Sequence, residues 1–535
     1  MKKILSIISI IITVGFCGCS KNLSEEVFSD LTEKGYNYKS EEVYNIIGSV
    51  YAHMRGWHSL WGYSGLQEFT TDALVQPANA SGWSDGGTYL RLHQHSWNAE
   101  QGHLADLWSF GYRGVLLSNR IIEQLAAESI PVPPNVSRES LIAEITVVRA
   151  LYYWLLIDNF GDVPFITAST QELPVKTERA TIYTNIVSDI NNAIEHLSPE
   201  NNIQMYGRIN KWSAKALLAN LYLNAKEYNG TAELDKCIAE CNDIISSGKY
   251  SLEPNFADCF DADNENSRET ILAAPCDEIN GGSMFINATL HTSSKDKYDL
   301  RTGMYGASSV KAVSQFIDTW DPEDARYNAT WENGLQYASD GVTPLLCVYE
   351  KTGQQLNYSK DLPNGIYTGE DEGFRIIKYK PEMGASNPMN NDVIIFRYAQ
   401  VLMMKAECLL RKGQADEAAD LVTQVRQRAF KNNPGKAQVT GAQLTGDSKY
   451  KYGYVEDYKI VDQGDTSPVE FGGFYDELGY EFVYEFTRRR DMIRFGTYTT
   501  KSWLSHKPNG NYRKIFPIPQ SALDANPNLI QNQGY

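Results

Sequence analysis

Trp83 stands in the run ANASGWSDGGTYLRLHQHSW, residues 78–97, among Ser, Gly and Asp side chains that favour turns and exposed backbone. A tryptophan in such company is expected to be presented rather than enclosed. With Ser81 and Asp85 beside it, the segment combines a flat apolar ring with a hydroxyl and a carboxylate. That combination suits a ligand with C–H faces and hydroxyl edges, which is the chemistry of a sugar. A second Gly-rich stretch, Arg55-Gly-Trp-His-Ser-Leu-Trp-Gly-Tyr63, offers Trp61 and Tyr63 in a similar setting, while Trp57 reads more readily as a packing anchor. Trp97 and Trp108, flanked by helical or strand-like pattern, are assigned to the core.

Other constellations carry less. His93 and His95 alternate with Leu90 and Leu92, so both imidazoles would share one strand face and, with His103, could ligate a metal. No further ligands stand nearby, and hydrogen-bonded structural histidines are the expectation. Asp261-x-Asp263-x-Glu265 opens like a calcium loop, but Asn266 replaces the Gly and Leu272 occupies the closing Glu position. Glu477, Glu481, Glu485 and Arg489 fall four apart. They read as a pair of catalytic carboxylates or as a charged helical ladder with a Glu485–Arg489 pair, and the ladder is the expectation. The chain contains no nucleophile elbow, zinc helix, dinucleotide loop or phosphate loop. The reading is therefore a binding protein, with no catalytic residues, metal or cofactor expected.

The elements that must position these residues are mostly helical. Apolar residues recur at three- and four-residue steps over 41–54, 105–127, 139–159, 182–197, 211–226, 234–246, 394–411 and 415–430. Several of these come in pairs joined by short polar links, with Ala and Tyr at packing positions, in the manner of degenerate tetratricopeptide repeats. Residues 250–379 and 432–470 are irregular and rich in Gly, Asn, Asp and Tyr; long insertions on a helical scaffold are where binding surfaces are expected. The fold class is mainly α, a helical-pair scaffold carrying irregular loops.

The chain has 535 residues, and its 42% apolar content can build a large core. The apolar run 4–16 follows Lys2 and Lys3 and is too short to span a bilayer, as in a signal peptide; no other run is expected to span. Cys19, preceded by the small Gly18, is the expected lipidation site, giving a leader over 1–18 and a polar tether over 19–39. The remainder, 40–535, reads as one domain with an N-terminal part, 40–250, and a C-terminal part, 251–535. A formal net charge of −17 argues against a nucleic-acid partner. The cysteines beyond the leader, Cys237, Cys241, Cys259, Cys276, Cys347 and Cys408, are too sparse for a disulfide framework, and Cys237 and Cys241 read as small core residues.

Several segments resemble one family. Arg149-Ala-Leu-Tyr-Tyr-Trp-Leu-Leu-Ile-Asp-Asn-Phe-Gly-Asp-Val-Pro-Phe165 resembles the helix and exit turn of SusD/RagB proteins, the surface glycan-binding lipoproteins. Asp392-Val-Ile-Ile-Phe-Arg-Tyr-Ala-Gln-Val-Leu-Met-Met-Lys-Ala-Glu-Cys408, Val425-Arg-Gln-Arg-Ala429 and Glu485-Phe-Thr-Arg-Arg-Arg-Asp-Met-Ile-Arg-Phe-Gly496 are similar to further elements of that family, with Phe495 where Trp is more usual. Phe516-Pro-Ile-Pro-Gln520 and Asn526-Pro-Asn-Leu-Ile-Gln-Asn532 complete the series. The resemblance implies a SusD-like fold and a lipid-anchored protein on the outer membrane, facing the exterior. Its expected role is to bind an oligo- or polysaccharide and pass it to a SusC-type TonB-dependent transporter. It implies a stacking role for Trp83 and further contacts from the region of Tyr298, Trp320 and Trp331. The alternatives are a peptide or glycopeptide receptor of the RagB type, a glycosidase with paired carboxylates, and a scaffold that binds only protein.

Overall fold

Residues 138–160 are apolar on nearly every side, as suits a helix surrounded by protein rather than one lying on a surface. In the computed structural model they form the helix Arg138–Phe160 at the centre of the core. Its first turn is capped by the Ser137 hydroxyl, which accepts from the Ser140 N–H, and it ends at Gly161, whose φ of 72° turns the chain. By length and composition this helix could cross a membrane, contrary to the expectation from the sequence, yet it is mostly buried inside the protein. The structure describes residues 38–535 apart from 80–81, 170–171, 280, 283–285, 287–288, 303–309, 364–366 and 387. The leader, Cys19 and Ser81 lie outside the described residues.

Helices pack on their sequence neighbours. Gly102–Ala126 lies on Arg138–Phe160, which lies on Arg179–Ile194; Lys211–Leu223 packs on Leu234–Ser246, and Tyr398–Arg411 on Ala415–Arg426. The paired scaffold read from the sequence is therefore present. Cys237 and Cys241 on one helix touch Cys408 on another, all three buried. The expected helix over 394–411 is in fact a strand, Val393–Arg397, followed by the helix Tyr398–Arg411; the strand is buried on both faces against Thr270–Ala274, so its apolar run has no period to betray it.

Short strands tie distant parts of the chain together. Leu74–Val75 pairs with Lys311–Ala312, and Ala78–Asn79 runs parallel to Tyr367–Thr368. Both pairs brace the segment that leads into Trp83.

The ladder expected on one helix does not form. The helix Gly472–Phe482 stops, Tyr484 and Phe486 take φ of 65° and 63°, and a new helix runs over Arg488–Arg494. Glu481 and Glu485 turn inward instead. Arg397 spans Glu269 at 2.6 Å, Glu481 at 2.8 Å and Glu485 at 2.6 Å, and Arg326 and Arg428 also hold Glu481. Arg489 reaches Asp158 rather than Glu485. These carboxylates are fully buried and each is bound to a cation, so they anchor the C-terminal elements to one another and present no acid–base pair to a substrate.

Candidate functional site

The loop that carries Trp83 is shaped by residues able to take left-handed backbone. Gly82, Asp85, Gly86 and Gly87 have φ of 82°, 48°, 59° and 74°, which explains the Ser-Asp-Gly-Gly run. The Thr88 hydroxyl hydrogen-bonds the Asp85 carboxylate at 2.7 Å and starts the helix Thr88–His93. That short helix places Tyr89 behind the loop. Arg91, one turn on, donates to the Gly86 carbonyl at 3.0 Å and closes the loop from below.

Four rings then form one cluster. Trp83, half-buried, lies 5.7 Å from Tyr89, and Trp61 lies 6.1 Å from the same ring. His103 is fully buried, tilted against Trp61 at 4.2 Å and edge-on to Tyr89 at 4.7 Å. Trp61 is 42% exposed, a large apolar ring held in place yet open to solvent. Burial pushes the His103 imidazole down to about 3, so it is neutral packing material beneath the indole at ordinary pH. At the edge stand Asp85 and the exposed Asp106, whose carboxylate lies against Gly62 beside Trp61. Partial burial raises the Asp106 pKa above the usual range, with the Ser59 hydroxyl opposing that shift. Two solvent-reaching indoles on a shared buried ring, edged by carboxylates and a guanidinium, can stack on C–H faces and hydrogen-bond hydroxyls.

Trp83, Asp85 and Trp61, named from two separate stretches of the sequence, thus lie together around Tyr89. Four other residues are not. Tyr63 is buried, packed 4.7 Å from Trp57, with its hydroxyl accepting from Arg490. Tyr298 is buried with its hydroxyl on Glu332. Trp320 and Trp331 lie 6.1 Å apart in a buried cluster with Phe316 and Tyr480. No open face is left on these rings, so they belong to the core; irregular backbone folded over the helices buries its aromatics as thoroughly as a helix does. Trp57 and Trp97 are core residues, as read. Tyr89, His103 and Asp106 were missed as members of the site, and Tyr89 had a signal: it stands six residues after Trp83 at the start of an apolar-periodic turn.

His93 and His95 lie at the end of a short helix and beyond it, not on a strand. Both are buried; His95 contacts the Thr70 carbonyl at 2.8 Å and lies tilted against His506 at 4.1 Å. Among the described residues no group of three or more His, Cys, Asp or Glu side chains is arranged to hold a metal ion. Asp263 and Glu265 line a depression of about 610 Å³ with Asp277, Glu382 and Asp392, away from the aromatic cluster.

Comparison with known proteins places these features in context. A family model described as the SusD family matches residues 216–535, and one described as starch-binding associating with outer membrane matches 42–223. The chain is 27% identical over 440 residues to the starch-binding protein SusD of Bacteroides thetaiotaomicron, covering 74% of this chain and 72% of that one. It is 25% identical, over an alignment of 564 positions spanning the full length of both, to the SusD-like protein P25 of Formosa agariphila. Among solved structures, a SusD superfamily protein from Parabacteroides distasonis superposes with a TM-score of 0.69 at 20% identity, covering 95% of this chain and all of that one. A laminarin-binding SusD-like protein gives 0.69 at 20% identity, covering 94% and 100%.

Proposed function

The chain belongs to the SusD family, and from that premise we propose that it captures an oligosaccharide or polysaccharide at the cell surface on the rings of Trp61 and Trp83. The observation that carries this reading is the exposure of Trp61 and the half-exposure of Trp83 on one buried support, Tyr89, with Asp85 and Asp106 at the edge. A ring that could pack completely, as Trp57 does nearby, would gain roughly 25 cal/mol for each Å² removed from water; rings left open next to carboxylates are suited to a ligand. The starch-binding and laminarin-binding relatives support the same chemistry. Tethering through acylated Cys19, on the outer face of the outer membrane, and delivery to a SusC-type transporter extend the reading from the leader and the family resemblance. Capture of this kind needs binding and release, not catalysis.

Binding of the purified protein to an array carrying both glycans and peptides tests the reading. Signal confined to glycans, and lost in Trp61→Ala, is expected. Signal confined to peptides would make the protein a peptide receptor on the same fold.

A further inference from the structure

Two more tyrosines are exposed on the side of the molecule joined to the Trp83 loop. Tyr367 is 46% exposed and stands on the short strand Tyr367–Thr368, directly beside Ala78 in the parallel pair that leads into that loop. Its hydroxyl donates to Glu350. Tyr458 is 56% exposed at the tip of the hairpin formed by Gly453–Glu456 and Lys459–Asp462, and its hydroxyl donates to Glu372 at 3.0 Å. The two carboxylates converge on Gly369: Glu372 accepts its N–H at 2.8 Å, and a Cβ there would meet Glu350 at 3.3 Å. Rings and carboxylates therefore form one surface, Tyr367–Glu350–Gly369–Glu372–Tyr458.

The hairpin tip adds an independent observation. Asp457 and Tyr458 have φ of 44° and 64°, the left-handed pair that a two-residue turn requires and that Asn-Gly ordinarily supplies. A tyrosine in the glycine position is strained, and its exposed ring does not offset the strain by packing. Local strain of this kind points to use of the side chain.

We propose that Tyr367 and Tyr458, with Glu350 and Glu372 as hydroxyl acceptors, form a second binding subsite for a neutral, hydroxyl-rich glycan chain that also engages the Trp83 loop. This inference rests on the glycan reading of the Trp61–Trp83 platform. The charge of the surface sets the class of ligand. Asp361 and Asp371 add to Glu350 and Glu372; Lys351 is paired with Asp371 and Lys360 with Asp318 and Asp361, and Lys459, next to Tyr458, is an exposed cation at the rim. Uronate or sulfate groups laid on this surface would face four carboxylates, Glu350, Asp361, Asp371 and Glu372, which outweigh the charge of Lys459 at the rim, whereas hydroxyls of a neutral chain find acceptors.

The test uses the full-length protein and a length series of oligosaccharides cut from a neutral polysaccharide that the wild type binds. Tyr367→Ala and Tyr458→Ala are expected to weaken binding of long chains by on the order of tenfold, while leaving unchanged the shortest chains that the platform holds by itself. Tyr458→Gly should lose the same affinity while unfolding at higher temperature, because it removes the strained ring and keeps the turn. Equal losses at every length, or none at any length, would overturn the subsite. A sulfated or uronate chain bound as tightly as its neutral counterpart would overturn the assigned ligand class. If the wild type binds no glycan of any length, the platform reading fails first and this inference with it.

Discussion

The indole of Trp61 lies across Gly102 so closely that a Cβ at that position would meet its Cζ2 atom at 2.9 Å. Gly102 opens the helix Gly102–Ala126, although glycine is a weak helix former. The glycine therefore serves the ring above it.

Gly102→Ala separates stability from binding. Helix propensity alone should stabilise the fold by up to about 0.5–1 kcal/mol, but the new methyl displaces an indole that has solvent on its other side and room to move. Glycan affinity should fall several-fold with the melting temperature unchanged or raised, measured by calorimetric titration beside a thermal melt. Unchanged affinity would show that the seating of Trp61 does not matter to the ligand.

Glu481 provides a test of the core. Burial opposes its ionisation, but the guanidiniums of Arg428, Arg397 and Arg326 outweigh burial and hold it below the ordinary carboxylate range. A depressed carboxylate contributes stability that is present above its unfolded value, about 4.3, and is lost as pH falls through the folded value. Glu481→Gln leaves buried guanidiniums short of a charge and should cost about 3–5 kcal/mol in urea unfolding at neutral pH. A cost below about 1 kcal/mol would mean that the cluster is no more than a surface-like pairing.

The buried histidines act in a different pH window. Burial pushes His93 and His95 down to about 3 and lowers His506 as well; His93 and His95 also disfavour a charge on His506, and Arg489 and Arg513 disfavour one on His95. The unfolded chain takes up these protons below about 6.5 while the folded chain does not, so stability declines as pH falls from there, by about 1.4 kcal/mol per pH unit for each such histidine. His93→Phe should make the limb between about pH 6 and 5 shallower by that amount, read from unfolding free energies at a series of pH values. An unaltered slope would show that His93 is already protonated in the folded state.

The sequence made the scaffold and one part of the site legible, for different reasons. Helix pairs such as 102–126 with 138–160 repeat apolar residues often enough to declare themselves, and Trp83 stands out because its neighbours cannot build a core. Burial in irregular segments leaves no such local mark. Trp320 follows a short helix and Trp331 begins a two-residue strand, both within a region of weak periodicity, and only tertiary packing shows that they are enclosed. The break at Tyr484 and Phe486 was illegible because neither residue is Gly or Pro; the chain bends there so that Glu481 and Glu485 can reach arginines distant in sequence. Tyr89 and His103 became part of the site only when two separate helices placed them behind Trp61.

Affinity electrophoresis of the protein through gels containing one polysaccharide at a time, with Trp83→Ala alongside, tests the central claim most directly. The account predicts retardation of the wild type by at least one glycan and its loss, or near loss, in a variant whose thermal melt is unchanged. Retardation that persists undiminished in Trp83→Ala would contradict the account and return Trp83 to the packing residues.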